Sequence, residues 1–310
     1  MADLVSVIVL TYNSGKYVVE TLESIKAVNY SPLELVISDD CSSDDTLSLC
    51  QNWIDNNSWR FENVLIASNS VNAGIPANCN QGIKISTGTW IKFIAGDDLL
   101  IEDSIQHFIK EVHGPLEGEM VFHGRLRSFG EQEASSEDYS DWGDPLSQDF
   151  NRAGITAAQQ FEILLRFCPV SGPTTFINRK VFEKTGPFDE RFRFWEDRPM
   201  WLKITSAGFK FNFVDRDVVF YRVHEGSVQK NQGNIFFSRT QLSKDEGSKI
   251  IILPYLPPFE RILSSYILSV RKMILKISGN RKTLPLNLIY KTLVKPADLL
   301  IRTIRKKYSP

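Results

Sequence analysis

Two hydrophobic patterns alternate along the first hundred residues of the chain. Continuous runs of β-branched and other apolar residues, such as residues 5–10, are typical of strands buried on both faces of a parallel sheet. Between such runs, apolar residues recur every three or four positions, as Val18, Leu22 and Ile25 do, which predicts helices with one buried face. The resulting β-α-β-α-β-α-β order predicts an α/β fold, a mostly parallel open sheet flanked by helices, with right-handed crossovers.

The pattern becomes less regular after residue 115. We expect strands near residues 119–129, 174–179 and 217–224, and helices near residues 157–167, 180–186 and 195–208. Residues 131–149 hold seven acidic residues together with Gly and Pro, which predicts a mobile surface loop.

Helical spacing of apolar residues returns from Phe259 onwards, with basic residues between them. The net charge of the chain is −1, but residues 255–310 carry twelve Lys and Arg against two acids, so an acidic body precedes a basic tail. Basic amphipathic helices bind anionic membrane surfaces, so we expect peripheral membrane contact through this tail. The alternative is a helix that packs on the body and exposes a solvated basic face. Nucleic acid is not expected as a partner, because aromatic residues are sparse among these charges.

The four cysteines show neither CxxC spacing nor a metal-ligand pattern with histidine, which favours free thiols in a reducing cytoplasm. The N-terminus passes directly into a strand-like run and lacks the pattern of a signal peptide. No window of about 18 apolar residues is present, so a membrane-spanning helix is not expected. These features predict a cytoplasmic protein.

Polar residues follow each of the first four predicted strands. They are Thr11-Tyr12-Asn13, Asp39-Asp40, the stretch 69–72 and Asp97-Asp98. Ligands of open parallel sheets bind outside the carboxyl ends of the strands, so we expect these residues to converge on one edge. A single acidic pair is more often a helix cap or a solvated turn, but four polar strand ends at one edge favour a binding site.

Two common phosphate-binding motifs, the GxGxxG fingerprint and the P-loop, are missing from the chain. Adjacent carboxylates such as Asp97 and Asp98 can lie beside a diphosphate only when a divalent cation separates them. Hard oxygen ligands select Mg²⁺ or Mn²⁺. The sequence therefore predicts a nucleotide-diphosphate ligand that a divalent cation bridges to the protein.

Four stretches of the chain resemble, in order, the motifs of glycosyltransferase family 2, whose members are inverting enzymes of the GT-A fold. They are "VSVIVLTYNSGKYVVETLESI", "ELVISDDCSSDDT", "NAGIPANCNQGIKISTGTWIKFIAGDD" and "GPFDERFRFWEDRPMWLKITSAGFKF". The resemblance covers residues 4–227. It implies a Rossmann-like GT-A catalytic domain over residues 1–230, with a nucleotide-binding half (1–100) and an acceptor-binding half (101–230). We expect residues 231–310 to form a C-terminal helical extension, the basic tail described above.

The resemblance assigns the nucleoside of a nucleotide-sugar donor to the loop after the first strand, that is, to Thr11, Tyr12 and Asn13. Asp39 would accept a hydrogen bond from a ring nitrogen of the base, which suits uracil and hence a UDP-linked sugar. Asp40 would help to shape the same pocket.

Further residues gain roles from the same resemblance. Asn72 and Gly74 would border the donor, with Asn80 nearby, and Arg222 would contact the diphosphate. The pair Gly172-Pro173 would form part of the wall that faces the acceptor.

The stretch Ala95-Gly96-Asp97-Asp98 occupies the place of the family's DXD motif, but Ala95 stands where the first acid is found in relatives. The resemblance then makes Asp98 the direct metal ligand, with Asp97 directed towards the sugar or ribose. A histidine after the last strand reaches the metal or diphosphate in several relatives, which makes His224 a second metal ligand. The expected cofactor is Mn²⁺ or Mg²⁺.

Glu196 and Asp197 match the "ED" motif that supplies the catalytic base in the family. A sugar hydroxyl must lose a proton as it attacks the anomeric carbon, and a carboxylate within hydrogen-bonding reach can take it. We expect Asp197 to be this base and Glu196 to contact or orient the acceptor hydroxyl. Without the surrounding motif, two acids at the start of a helix would be explained by the helix dipole alone.

The sequence thus predicts an inverting glycosyltransferase that moves a sugar from a UDP-linked donor to a saccharide hydroxyl. Relatives that build bacterial surface polysaccharides often use lipid-linked acceptors, which places the expected reaction at the inner face of the plasma membrane. A non-catalytic sugar-nucleotide-binding or membrane scaffold protein is the main alternative, supported by Ala95. A nucleotidyltransferase is a weaker one, because the loop after the first strand holds only one Lys and one Gly.

Overall fold

The computed structural model describes residues 2–114, 120–130, 145–224 and 235–307. The strands in these residues are β1 (Val5–Thr11), β2 (Leu33–Asp39), β3 (Asn63–Ser68), β4 (Trp90–Ala95), β5 (Leu99–Leu100), β6 (Val121–Gly130), β7 (Thr175–Asn178) and β8 (Asn212–Val223). The helices are α1 (Val18–Lys26), α2 (Thr46–Asn57), α3 (Ile75–Ile85), α4 (Ser104–Val112), α5 (Pro145–Phe150), α6 (Ala157–Leu164), α7 (Arg179–Thr185), α8 (Asp197–Ser206), α9 (Arg239–Ile251), α10 (Pro258–Ser278) and α11 (Leu284–Lys307). Strands and helices alternate over the first hundred residues, as the hydrophobic pattern predicts.

All eight of these strands form one sheet in the order β3-β2-β1-β4-β7-β6-β8-β5. The first four strands pair in parallel, and their register aligns Thr11 with Asp39, Asp39 with Ser68, and Leu10 with Ala95. The carboxyl ends of β1, β2, β3 and β4 therefore lie along one edge. The sheet becomes mixed beyond β4, because β7 runs antiparallel to both β4 and β6 while β6 and β8 run parallel.

Helices cover both faces of the parallel half. On one face, Val5, Val7 and Val9 share a core cluster with Leu22 and Ile25 of α1. On the other face, α3 lies so close to β1 that a Cβ at Gly82 would be 2.4 Å from Cγ2 of Ile8. A larger residue at position 82 would push α3 away from the sheet.

The predicted acidic loop over residues 131–149 lies mostly outside the described residues, which resume at residue 145. From there, Pro145–Phe150 forms α5, so the loop prediction is wrong for its last five residues. The reason is burial: the ring of Phe150 is fully buried, with its centroid 5.9 Å from that of Phe211.

The predicted domain boundary at residue 230 also lies outside the described residues. Beyond it, Ile252 and Leu256 belong to the core cluster that also contains Ile8, Val36 and Phe93 of the sheet. The start of α10 is joined to the body by a buried ion pair, in which Arg166 donates from Nη2 to Glu260 Oε1 over 2.8 Å and from Nε to Oε2 over 3.0 Å. The C-terminal helices are therefore docked on the body.

The apolar stripe predicted from Phe259 onwards is divided between two environments. Val270 and Ile274 of α10 are buried in a cluster with Tyr290 and Val294 of α11, so α10 and α11 pack against each other. Ile262, by contrast, remains exposed. Among the described residues, no helix combines the length and the apolar character that a membrane crossing requires.

Candidate active site

The four polar strand ends meet at one edge, as the sequence predicts. Thr11 Oγ1 donates to Asp39 Oδ1 over 2.8 Å, which joins the ends of β1 and β2. The amide of Gly96 donates to the carbonyl of Leu10 over 2.9 Å, and Nδ2 of Asn78 donates to the carbonyl of Thr11 over 3.3 Å. The loops after β1, β2 and β4 are therefore held together by direct hydrogen bonds.

Asp39 is fully buried and accepts hydrogen bonds from both neighbouring loops. Its Oδ1 accepts from the hydroxyls of Thr11 and Ser42, and its Oδ2 accepts from the amide of Ser42 (2.9 Å) and the hydroxyl of Ser68 (2.9 Å). Four donors satisfy a carboxylate. The predicted contact with a nucleotide base would require one of these donors to turn away from Asp39.

Asp40 fixes the loop that follows β3. Its Oδ1 accepts from Nδ2 of Asn69 (3.0 Å) and from the amide of Ala73 (2.8 Å), while Oδ2 accepts from the amide of Gly74 (2.8 Å). Because its side chain is buried and fully engaged, Asp40 shapes this edge through the loop that it holds.

The loop after β1 contains Tyr12, whose ring is exposed, and Asn13, whose side-chain amide is already hydrogen-bonded. Asn13 adopts a left-handed backbone conformation (φ 50°), and its Oδ1 accepts from the amide of Ser43 over 2.8 Å. Asn tolerates this region better than most residues, which explains its use here. The side chain of Tyr12 is 51% exposed and leaves its ring available to a ligand.

Gly74 lies where the loop that follows β3 contacts the segment that leads to the "ED" motif. Its φ is +100°, and a Cβ there would be 2.7 Å from the carbonyl oxygen of Arg193, so both the conformation and the space require glycine. Arg193 in turn donates from Nη2 to Oδ1 of Asn72 over 2.8 Å. Asn80 forms a second link, accepting from the amide of Phe188 over 2.8 Å. The sequence interpretation missed Arg193, although it lies within the quoted "DERFRFWED" stretch.

The adjacent carboxylates Asp97 and Asp98 lie in different environments. Asp98 is 1% exposed; its Oδ1 accepts from the amide of Arg222 over 2.9 Å, and within the described residues its buried Oδ2 has no hydrogen-bond partner. Burial raises the pKa of Asp98 well above its usual range, and the negative charge of Asp97 raises it further. The side chain of Asp97 is 31% exposed, and its Oδ2 lies 3.0 Å from Nε2 of His224.

Arg222 is held in place on several sides. Nε donates to the carbonyl of Asp97 over 2.7 Å, and Nη2 donates to Glu20 Oε2 over 2.7 Å. The guanidinium also lies 4.5 Å from the ring centroids of both Tyr17 and Phe129. Arg222 therefore organises the end of β4, and the predicted contact with a diphosphate would use its remaining N–H groups.

A divalent cation fits the chemistry of this edge. Asp97 offers carboxylate oxygens and His224 a ring nitrogen, and both side chains are partly exposed. Oxygen and imidazole ligands of this kind suit Mn²⁺. In the part of the chain that the structure describes, no group of three or more His, Cys, Asp or Glu is arranged to hold a metal ion. The cation would therefore complete its coordination with phosphate oxygens of a ligand.

Glu196 and Asp197 lie at the start of α8, next to the turn Gly172–Thr174. The amide of Gly172 donates to Asp197 Oδ2 over 3.1 Å. Burial raises the pKa of Asp197 well above its usual range, and the charge of Glu196 adds to the rise; burial also raises the pKa of Glu196. A raised pKa makes a carboxylate a stronger base while it is ionised, which suits proton abstraction.

Lys92 is a buried residue of this region that the sequence interpretation missed. It lies within the apolar run of β4, is fully buried, and donates from Nζ to the carbonyls of Pro173 and of Phe93. Burial lowers the pKa of Lys92 to about 7, although the nearby charge of Asp98 opposes this change. Lys92 thereby ties β4 to the turn that holds Asp197. The sequence signal that could have identified Lys92 is a lysine inside an otherwise apolar strand.

Comparison with known proteins identifies the family. The model described as "Glycosyl transferase family 2" matches residues 6–186, more than half of the chain. The chain belongs to glycosyltransferase family 2. It is therefore a transferase, and family membership supports this assignment over the non-catalytic scaffold protein kept as an alternative above.

One relative and two solved structures illustrate the similarity. The Escherichia coli protein "UDP-Glc:alpha-D-GlcNAc-diphosphoundecaprenol beta-1,3-glucosyltransferase WfaP" is 26% identical over 251 residues, which are 80% of this chain and 88% of that protein. The structure of S. aureus TarS 1-349 in complex with UDP-GlcNAc has a TM-score of 0.62 at 16% identity, covering 98% of this chain and 88% of that one. The Pyrobaculum calidifontis mannosyltransferase PcManGT, in complex with GDP-Man and Mn²⁺, has a TM-score of 0.54 at 16% identity, covering 97% and 70%.

These likenesses confirm the predicted fold of this family 2 glycosyltransferase. Its mixed sheet flanked by helices is the GT-A fold, and its C-terminal helices have a counterpart in the TarS structure. The roles of individual residues in catalysis and metal binding stay predictions, which the geometry above now constrains.

Proposed function

We propose that this glycosyltransferase moves a sugar from a UDP-linked donor to a hydroxyl of a saccharide acceptor, with inversion at the anomeric carbon. The observation that carries the proposal is the position of the Asp197 carboxylate, which the amide of Gly172 holds at the start of α8, next to Glu196. A pure binding protein has no use for such a base. The UDP-GlcNAc complex of TarS and the UDP-Glc in the name of WfaP support uridine as the donor nucleotide.

The reaction needs one base and one in-line displacement. Asp197 takes the proton from the acceptor hydroxyl as the hydroxyl oxygen attacks the anomeric carbon, and the bond to the nucleoside diphosphate breaks on the opposite side. Glu196 orients the same hydroxyl. The fixed position of Asp197 contributes to the rate, because a base already within hydrogen-bonding distance avoids the entropic cost of bringing the reactants together.

A divalent cation bound beside Asp97 and His224 would offset negative charge on the departing diphosphate. The sequence predicts Asp98 as the metal ligand, and that assignment stays a prediction. We propose Asp97 in its place because its side chain is partly exposed next to His224, whereas Asp98 is buried. Asp98 instead holds the end of β4 by accepting from the amide of Arg222. Mn²⁺ in the PcManGT complex supports a cation in this fold.

Replacement of Asp197 by Asn tests the catalytic assignment. Asn keeps an oxygen that can accept from Gly172 but cannot take a proton, so transfer should fall by about 10²- to 10⁴-fold while UDP binding is retained. Transfer is followed as nucleotide release with Mn²⁺ present. The matched control is Glu183→Gln, which removes an exposed carboxylate of α7 and should leave the rate unchanged. Near-normal transfer by Asp197→Asn would rule out the assignment.

We further propose that the acceptor is lipid-linked and that the enzyme works in surface polysaccharide synthesis at the inner face of the membrane. The diphosphoundecaprenol in the name of WfaP supports this acceptor class. Apolar residues of α10 and α11 remain exposed among basic residues, including Ile262, Ile277, Leu284 and Leu288. Through α10 and α11, the full-length protein should therefore bind phosphatidylglycerol vesicles but not phosphatidylcholine vesicles in a sedimentation assay. Absence of binding to both would refute the membrane contact.

A further inference from the structure

A cavity of about 320 Å³ lies between the C-terminal helices, outside the site described above. Its lining comes from α9, α10, α11 and the segment just before α9, and includes Gln241, Lys244, Arg271 and Tyr290. This volume is at the lower end of the range for small-ligand sites, about 300–1,000 Å³. It suits a ligand of about the size of one or two sugar rings.

The cavity carries a net positive charge from a single residue. Arg271 donates to Oδ1 of Asp245, and Nε2 of Gln241 donates to the same oxygen over 2.7 Å, so the charge of Arg271 is balanced. Lys244 is exposed and forms no ion pair with another described residue. An ammonium group in a partly enclosed site favours a ligand with a negative charge, and phosphate is a common partner of lysine.

Aromatic rings form one wall of the cavity. The centroids of Phe236 and Phe237 lie 6.0 and 5.6 Å from that of Tyr290, and both contacts are edge-on. Phe237 is buried, whereas Phe236 and Tyr290 are half-buried. Small-ligand sites typically combine such aromatic walls with a few well-placed polar groups, here Gln241 and Lys244. Sugar rings, with apolar C–H faces and hydroxyl edges, match this lining.

One lining residue of the cavity, Lys244, connects it to the proposed catalytic carboxylates. On α9, Gly247 packs so closely on the catalytic segment that a Cβ there would be 2.5 Å from the ring of Trp195, the residue before Glu196. Lys244 is three residues earlier on the same helix face. The positive charge of Lys244 favours the ionised forms of Glu196 and Asp197, and so opposes the rise in their pKa that burial causes.

We propose that this cavity binds a phosphate-bearing saccharide, the part of the acceptor that links its sugar to phosphate, with Lys244 as the phosphate contact. The inference rests on the proposed function, because it places the acceptor beside Asp197. It adds a binding site formed by the C-terminal helices, so these helices take part in acceptor recognition. Phospholipid headgroups carry the same phosphate chemistry, and the experiment below separates the two sources.

The test measures binding of N-acetylglucosamine 1-phosphate by ligand-observed NMR, with UDP and Mn²⁺ in excess to fill the donor site. The sugar phosphate should bind under these conditions, more tightly than uncharged N-acetylglucosamine. Lys244→Ala should weaken binding of the sugar phosphate about tenfold, because a charge-assisted hydrogen bond contributes about this factor. Lys249→Ala, which removes an exposed lysine of the same helix outside the cavity lining, is the matched control and should bind like the wild type.

Three results would overturn the proposal. The first is equal binding of the sugar phosphate by Lys244→Ala and the wild type. The second is displacement of the sugar phosphate by UDP. The third is a protein that does not bind the sugar phosphate but binds phosphatidylglycerol vesicles in a way that depends on Lys244. Hydrolysis of UDP-sugars by the wild type is measured in parallel. Absence of this hydrolysis would count against the proposed function. The NMR result alone decides whether the cavity binds the sugar phosphate.

Discussion

Gly172 donates its amide hydrogen to the carboxylate of Asp197 over 3.1 Å and approaches that carboxylate more closely than any larger residue could. A Cβ at position 172 would lie 2.6 Å from Oδ1 of Asp197. Gly172 is not among the residues with positive φ, so glycine serves here to leave space for the carboxylate and not to allow a special backbone conformation. The turn before β7 thus sets the position of the proposed base.

Gly172→Ala should slow transfer while leaving the donor bound. The added methyl group must displace the carboxylate of Asp197, and a displacement of about 1 Å can cost about 10²-fold in rate. We expect kcat to fall about 10- to 100-fold with the KM for UDP-sugar unchanged, measured as nucleotide release. Ser171→Ala, a change in the same turn that adds no atoms near Asp197, should behave like the wild type. A normal kcat for Gly172→Ala would show that the carboxylate is free to move.

The two adjacent aspartates should differ in their contribution to metal binding. Asp97→Asn removes the exposed carboxylate beside His224, so the affinity for Mn²⁺ in the presence of UDP should fall by at least the roughly 10- to 100-fold that loss of an outer-shell partner costs. Asp98→Asn should bind Mn²⁺ nearly as the wild type does, because the buried carboxyl has a raised pKa and Asn can still accept from the amide of Arg222. Isothermal titration calorimetry measures both affinities. The reverse order would restore Asp98 as the metal ligand.

Sequence patterns were sufficient to predict that the polar strand ends share one edge. Apolar strands that end in or just before Thr11, Asp39 or Asp97 predict a common edge because parallel strands deliver their carboxyl ends to the same side. The mixed second half of the sheet was harder to anticipate. Strand β7 has only four residues, and its antiparallel pairing with β4 depends on contacts distant in sequence.

The order of the strands and helices in the first hundred residues could be predicted from the sequence, but the environment of individual side chains could not. Asp97 and Asp98 are adjacent and identical in type, yet Asp97 is partly exposed beside His224 and Asp98 is buried under Arg222. Which of them turns inwards depends on β8, more than a hundred residues later in the chain. Lys244 shows the same limit, because α9 reaches the segment of Glu196 and Asp197 through tertiary packing, including that of Gly247 on Trp195 and Phe192.

The buried Lys92 should make stability depend on pH. Its pKa is about 7 in the folded protein and 10.5 ordinarily, so the unfolded chain binds the proton more tightly and the free energy of unfolding rises with pH across this interval. Between pH 7 and pH 9, the wild type should gain about 2 kcal/mol relative to Lys92→Met, which has no group that titrates there.

Urea denaturation at pH 7, 8 and 9 measures the dependence on Lys92. Lys84→Met, which removes an exposed lysine of α3, is the matched control and should follow the wild type at each pH. Equal pH dependence of the wild type and Lys92→Met would show that the ammonium group is not desolvated in the fold. The link from Lys92 to the turn at Pro173 predicts a second effect. Lys92→Met should lower kcat as Gly172→Ala does, because both changes disturb the turn that positions Asp197.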